Sequence, residues 1–251
     1  MIFITGGTGT LGKLVTPRLR DAGHDVRVLT RRPRPAEPHL DYVVGDLTKD
    51  TPDLTGADVV VHLAGGAKGD EVATANLVRA AQQAGVRHIV YISVIAADRL
   101  PIGYFRQKAD SERIIAESGI PWTTVRAAQF HDFVLNVARF LAKLPVVPVP
   151  GGLRFQPVDK RDVADRIVEL ALGAPAGLVP DLAGPKVYGM GELLRDYLAA
   201  TGKRRPTIPL RIPGKIGRAY RAGDNLTLTG ATLGTRTWED YLREPATTAK
   251  H

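Results

Sequence analysis

Tyr104 and Lys108 stand four residues apart in Tyr104-Phe105-Arg106-Gln107-Lys108. On a helix they share one face. An ammonium beside a phenol favours the phenolate and lowers its pKa, which eases proton transfer near neutral pH. The same spacing also occurs in half-buried surface pairs. Ser93 precedes them at the end of His88-Ile89-Val90-Tyr91-Ile92-Ser93, where its hydroxyl can hold an oxygen of a small molecule. These three residues are the candidate catalytic set.

A second constellation lies at the start of the chain, in Thr5-Gly6-Gly7-Thr8-Gly9-Thr10-Leu11-Gly12. Gly7, Gly9 and Gly12 satisfy G-x-G-x-x-G, while Gly6, Gly9 and Gly12 satisfy G-x-x-G-x-x-G. Both place glycines where a strand turns sharply into a helix, so that backbone amides can approach a pyrophosphate at the helix N-terminus. Residues Gly6 to Gly12, with Thr8, Thr10 and Leu11 between the glycines, are therefore candidate dinucleotide-binding residues.

At the end of the second expected strand an NAD site places an acid for the ribose 2′-hydroxyl. This chain has Thr30-Arg31-Arg32 there, then Arg34. Guanidinium groups pair with a 2′-phosphate through charge-assisted bonds, so Arg31 and Arg32 favour NADP(H). Asp46, beside Leu47, is either an acceptor for the adenine amine or a local turn residue. Ala64-Gly65-Gly66 offers small residues where a cofactor backbone must pass closely. Lys108 can hold the cofactor ribose, and Tyr104 can protonate a developing alkoxide as hydride arrives.

The elements needed to position these groups are legible. Met1–Thr5, Asp25–Thr30, Tyr42–Val44, Val59–Leu63, His88–Ser93 and Trp122–Val125 read as strands. Leu11–Ala22, Glu71–Ala84 and Tyr104–Ser118 read as helices stopped by Gly23, Gly85 and Gly119. Strands alternating with helices indicate βαβ units and a parallel sheet. The fold class is α/β, a Rossmann-type doubly wound sheet. The second half is richer in loops. It holds helices over Arg161–Leu172, capped by Asp159, and Gly191–Ala200, with a strand over Val179–Gly184. One domain is expected over 1–243, with a cofactor core over 1–126, a substrate-covering lobe mainly from 127–158 and 177–243, and a flexible tail over 244–251. Gln129, Phe130 and His131 fall where a substrate pocket would form, and Asp132 can cap the following helix.

Composition bounds the function. The chain has 251 residues, 44% hydrophobic and 24% charged, and no cysteine. That excludes a disulfide framework, a thiolate nucleophile and a thiolate metal site. The histidines show no metal-ligand spacing, and no metal is expected. The net charge is 34 − 26 = +8. Seven of the basic residues lie between Thr201 and Arg221: Lys203, Arg204, Arg205, Arg211, Lys215, Arg218 and Arg221. This segment reads as a solvated basic surface. No nucleic-acid-reading motif and no membrane segment is found, and a cytoplasmic location is expected.

The glycine turn, Arg31, Ser93 and Tyr104-x-x-x-Lys108 occur in the order of the short-chain dehydrogenase/reductase superfamily. His88–Ser93, Ser118-Gly119-Ile120-Pro121-Trp122, Val125-Arg126 and Pro157-Val158-Asp159 resemble its atypical, NmrA-like branch, and the likeness runs to about Leu242. The resemblance implies NADP(H) at the C-terminal ends of the strands and a catalytic role for Ser93, Tyr104 and Lys108. It points to an oxidoreductase acting on a carbonyl, quinone or conjugated small molecule. Two other functions fit the same residues: a non-catalytic NADP(H) sensor, and a non-redox isomerase that uses bound NADP as a transient hydride store.

Overall fold

The protein is described from a computed structural model, which covers residues 1–66 and 69–244. The expected tail lies outside these residues except for Glu244, which is ion-paired to Arg161 at 2.7 Å rather than free.

The first half runs β1 (Ile2–Thr5), α1 (Gly12–Asp21), β2 (Val26–Thr30), β3 (Leu40–Val44), β4 (Val59–His62), α2 (Asp70–Gln83), β5 (His88–Val94), α3 (Gly103–Ala116) and β6 (Trp122–Ala127). The second half follows with α4 (His131–Leu141), β7 (Val147–Pro150), β8 (Arg154–Phe155), α5 (Lys160–Leu172), β9 (Gly177–Leu178), β10 (Leu182–Ala183), β11 (Tyr188–Gly189), α6 (Met190–Ala200), β12 (Thr207–Leu210), α7 (Gly214–Ala222), β13 (Thr232–Leu233) and α8 (Trp238–Arg243).

Nine strands form one parallel sheet in the order β13-β10-β6-β5-β4-β1-β2-β3, with β9 also on β6. From β1 the chain builds outward to β2 and β3, then returns to the other side of β1 with β4. This reversal opens a crevice at the C-terminal ends of β1 and β4. Thr5 is level with His62 there.

The pleat sorts the core into two layers. Ile2, Ile4, Val61, Val90 and Val125 join a cluster with Val15 and Leu19 of α1 and Val163 and Ile167 of α5. Phe3, Val60, Ile89 and Tyr91 point to the other face and pack with Leu77 of α2 and Ile115 of α3. Strands buried on both faces explain why β1, β4 and β5 are near-continuous apolar runs.

A third cluster makes the lobe. It joins Val134 and Ala138 of α4, Tyr188, Leu193 and Leu194 around α6, and the fully buried Trp238 of α8. The expected strand over Val179–Gly184 is split into short pieces at residues 177–178 and 182–183. Pro180 lies between them and brings no N–H to a ladder. Asp132 does not cap α4. Phe130 is the N-cap, and Asp132 in the first turn pairs with Lys160 at 2.6 Å.

Asp159 caps α5 as expected, accepting from the Arg161 N–H at 2.8 Å. It also takes two bonds from the Arg161 guanidinium, at 2.8 and 2.7 Å. Burial pushes its carboxyl up, but the bonds from the Arg161 guanidinium and the helix amide win and hold it well below its ordinary 3.8. A carboxyl depressed in the folded state stabilises above its unfolded value and loses that contribution as pH falls below it. Asp159→Ala is expected to cost about 2–4 kcal/mol at neutral pH, from a lost cap and lost charge-assisted bonds. Urea unfolding checks this, and the gap to wild type should shrink below pH 3.8.

Candidate active site

The glycine turn is a close-packed crossing with one open side. Gly6 has φ +70°, and a Cβ there would lie 2.6 Å from the Ala64 amide nitrogen. A Cβ on Gly12 would meet the Gly6 carbonyl oxygen at 2.2 Å, and one on Gly7 would meet Val28 at 2.7 Å. These glycines let β1, α1 and the β4–α2 loop touch. Gly9 differs: it and Thr10 are exposed, and a Cβ there would meet only the Gly6 oxygen, at 3.1 Å. Among the described residues, the amides of Thr10 and Leu11 have no hydrogen-bond partner. Free amides beside a bare glycine, at the start of α1, are a cradle for an anion.

Arg31 and Arg32 follow β2 on the exposed rim. The Thr30 hydroxyl shapes their turn, donating to the Arg32 carbonyl at 3.0 Å. Among the described residues, neither guanidinium has a carboxylate partner. Asp46 shapes the local turn, and its Oδ2 takes no part in that turn. Its Oδ1 accepts from the Thr48 amide at 3.0 Å and the Thr48 hydroxyl at 2.8 Å, and these bonds lower its pKa. Leu47 is buried in the core beside it.

Lys108 is on α3 with its side chain 5% exposed, and Ser93, next to last in β5, is 1% exposed. The Lys108 ammonium lies 3.1 Å from Asp70 Oδ2 and donates to the Tyr91 hydroxyl at 3.3 Å. A Cβ on Gly65 would come within 3.0 Å of the same nitrogen. Lys108 therefore faces the loop that packs on the glycine turn. Ser93 shares a strand face with Tyr91, and its Oγ is buried without a partner. The Gln129 side-chain oxygen, beyond β6, is likewise buried and unpartnered. Orphaned polar atoms at strand C-termini, on the same sheet edge as the free amide cradle, fit a dinucleotide and a polar substrate.

Tyr104 is one turn before Lys108 and 38% exposed, its ring edge-on to Phe105 at 5.5 Å. Its phenol departs from the expected direction. Burial raises the pKa above 10, and the Lys108 charge only partly offsets this, because Asp70 opposes it. The phenol is thus protonated at neutral pH and disposed to donate.

A buried polar network supports the site and carries no sequence signature. His62 bonds Thr5 Oγ1 at 2.6 Å and Thr74 Oγ1 at 3.1 Å, and stacks on Tyr91. Burial and the Lys108 charge push it down to about 3, so it is neutral. Thr5 Oγ1 also accepts from the Ala64 amide at 3.2 Å, and Thr74 contacts Ser111 at 3.1 Å. The network ties β1, β4, α2 and α3 together beneath the candidate catalytic groups.

His131 opens α4, and both its ring nitrogens are buried without a hydrogen-bond partner. It is fully buried, packed between Trp238 and Tyr241, with Nδ1 3.8 Å from Asp159. Phe130 is half-buried and pairs with Val158 across an isolated bridge. The basic segment is partly built into the fold: Arg221 donates to the Ile212 carbonyl at 2.9 Å. Glu192, Asp196 and Glu239 converge in the lobe, but Lys186 sits 3.1 Å from Glu192 and 2.8 Å from Glu239. Among the described residues, no helix is long and apolar enough to cross a membrane.

Comparison with known proteins bears on the family and the fold. The (4-alkanoyl-5-oxo-2,5-dihydrofuran-3-yl)methyl phosphate reductase of Streptomyces griseus is 34% identical over 252 residues, covering 92% of this chain and 88% of that protein. Quinone oxidoreductase 2 of Escherichia coli is 25% identical over 218 residues, covering 81% of this chain and 76% of that protein. The structure of an NADPH-dependent quinone oxidoreductase from Escherichia coli, complexed with NADPH, superposes with a TM-score of 0.81 at 21% identity, covering 96% of this chain and 98% of that one. A family model described as NAD(P)H-binding matches residues 6–172. With the amide cradle and the parallel sheet, that match makes this chain a member of the NAD(P)H-binding family.

Proposed function

We propose that this protein is an NADP(H)-dependent reductase of the NmrA-like type, acting on a carbonyl, quinone or conjugated small molecule. The observation that carries this reading is the buried Lys108 ammonium against Gly65, with the unpartnered Ser93 Oγ on β5 and a protonated Tyr104 one turn away. The reductase and quinone oxidoreductase names of the relatives support it.

NADPH, when bound, would supply the hydride from its nicotinamide ring. The Thr10 and Leu11 amides hold its pyrophosphate at the start of α1. Arg31 and Arg32 hold the 2′-phosphate, and Lys108 holds a ribose hydroxyl. Ser93 Oγ donates a hydrogen bond to the substrate oxygen and orients it. Tyr104 gives that oxygen its proton.

Two arginines without acid partners set the cofactor choice. A charge-assisted bond contributes about 1.5–3 kcal/mol, so replacing both Arg31 and Arg32 by alanine should cut the NADPH-over-NADH preference by roughly 10–100-fold. Parallel titrations with the two cofactors measure it. The reading itself is tested by NADPH consumption with ketone, aldehyde, quinone and enone acceptors, with Tyr104→Phe alongside.

A further inference from the structure

We propose that Asp70 is a positioning residue for Lys108: its carboxylate bridges the Gly66 amide and the Lys108 ammonium and fixes that ammonium against the Ala64–Gly66 loop. The inference rests on the cofactor-binding role given above to Lys108.

Three elements meet at this carboxylate. Asp70 opens α2, directly after Gly69. Its Oδ1 accepts from the Gly66 amide at 2.6 Å, in the loop leaving β4. Its Oδ2 lies 3.1 Å from Lys108 Nζ, on α3. Both side chains are almost wholly buried, at 7% and 5% exposure. A buried ammonium needs a counter-charge, and losing one partner strands the other. The helix N-terminus is where a carboxylate is favoured.

The donor count gives the pair its purpose. Lysine has three N–H donors. One meets the Tyr91 hydroxyl at 3.3 Å, Asp70 Oδ2 stands 3.1 Å away as a counter-charge without an aligned hydrogen bond, and the nitrogen sits 3.0 Å from where a Gly65 Cβ would be. With Asp70 as counter-charge and Tyr91 as acceptor, the flexible four-carbon stem is held in one place, and the remaining N–H groups are left for a ligand lying along the loop. A loose lysine would lose that placement without losing its charge. Bringing the loop amide and the ammonium to one carboxylate also couples loop position to lysine position.

The test uses the intact chain and NADPH itself. Fluorescence titration compares wild type with Asp70→Asn, Asp70→Glu, Lys108→Met and the double Asp70→Asn/Lys108→Met. Asp70→Asn keeps the acceptor for Gly66 but not the counter-charge. Asp70→Glu keeps the charge but adds a methylene where both contacts leave no slack. Both are expected to raise the NADPH Kd at least about fivefold, within the range of coupled neighbours. The double variant should bind no worse than Lys108→Met, since Asp70 acts through the lysine. It is also electrically neutral at the pair, so it should melt above Lys108→Met, which strands a buried carboxylate. If Lys108→Met does not fold, the double variant against Asp70→Asn still gives the comparison.

A pH profile separates positioning from mere support of the fold. The charged and titratable groups acting on the Tyr104 phenol are Lys108, Asp70 and Tyr91. Removing the Asp70 charge leaves Lys108 unopposed, so the alkaline limb of turnover should move to lower pH in Asp70→Asn. Wild-type affinity in either Asp70→Asn or Asp70→Glu overturns the proposal. So does a double variant weaker than Lys108→Met by the full Asp70→Asn factor. The two readings fail separately. Wild-type protein that binds NADPH and consumes none defeats the reductase reading while the affinity comparison still judges Asp70. Turnover with unchanged Asp70→Asn affinity and unchanged alkaline limb defeats the Asp70 proposal alone.

Discussion

Tyr104→Phe is expected to lower turnover by about 10²–10⁴-fold, the usual worth of a placed general acid, with NADPH affinity unchanged. The substitution removes one hydroxyl from a ring that is 38% exposed and packs edge-on to Phe105. No hydrogen bond of the fold is lost, because the phenol has no partner among the described residues. The loss should therefore fall on kcat and not on binding or melting temperature. The direction of the phenol pKa adds a pH signature. It lies above 10, raised by burial. An acid is active while protonated, so reduction should stay level through neutral pH and decline only beyond pH 10. The reverse oxidation needs the phenolate and should still be rising there. Stopped-flow or steady-state rates across pH check both limbs. A phenol lowered by Lys108, as the spacing alone suggests, would give the opposite order.

The second large effect separates two glycines of one motif. Gly12→Ala drives a Cβ into backbone on three sides, 2.2 Å from the Gly6 oxygen and 2.4 and 2.5 Å from Gly7 atoms. Backbone cannot rotate away, so the turn must open. The expected cost is about 3 kcal/mol, a fall in Tm of roughly 6–12 °C for a chain of this size. Gly9→Ala meets one atom at 3.1 Å and otherwise open space. It should melt close to wild type yet weaken NADPH by about tenfold or more, equivalent to about 1.4 kcal/mol, since the added methyl stands beside the free Thr10 and Leu11 amides. Differential scanning calorimetry and cofactor titration on the two variants resolve fold-keeping from ligand-keeping glycines.

The first half of the fold was readable because its signals are local. Apolar runs such as Phe3-Ile4 and Val59-Val60-Val61 are short strands buried on both faces, and Gly23 and Gly85 follow the ends of α1 and α2 at positive φ. Asp159 announced α5 through a side chain that bonds two residues ahead. The lobe was harder. β7 and β12 carry Pro148, Pro150 and Pro209, residues that argue against a strand. They pair only with each other, in a two-stranded ribbon whose outer edges need no donor. α8 is six residues long and is held by the burial of Trp238, which no periodicity marks.

The site divides the same way. The glycine turn, Arg31 and the Tyr104–Lys108 spacing are contained in short stretches. Asp70, Tyr91 and His62 are not, because their roles depend on which helix crosses which strand. Asp70 meets a lysine 38 positions away through the α2–α3 packing. His131 shows the converse. A histidine among aromatics after β6 reads as pocket from sequence alone, while its packing against Trp238 and Tyr241 of α8, more than a hundred positions away, is visible only in the fold.

The central claim is that this chain passes hydride from NADPH to a small-molecule acceptor. It is tested most directly by following nicotinamide absorbance while quantifying reduced product across ketones, aldehydes, quinones and enones. The account predicts NADPH loss matched one-to-one by reduced product for at least one acceptor class, collapsing in Tyr104→Phe. NADPH that binds and is never consumed, or full turnover in Tyr104→Phe, would contradict it.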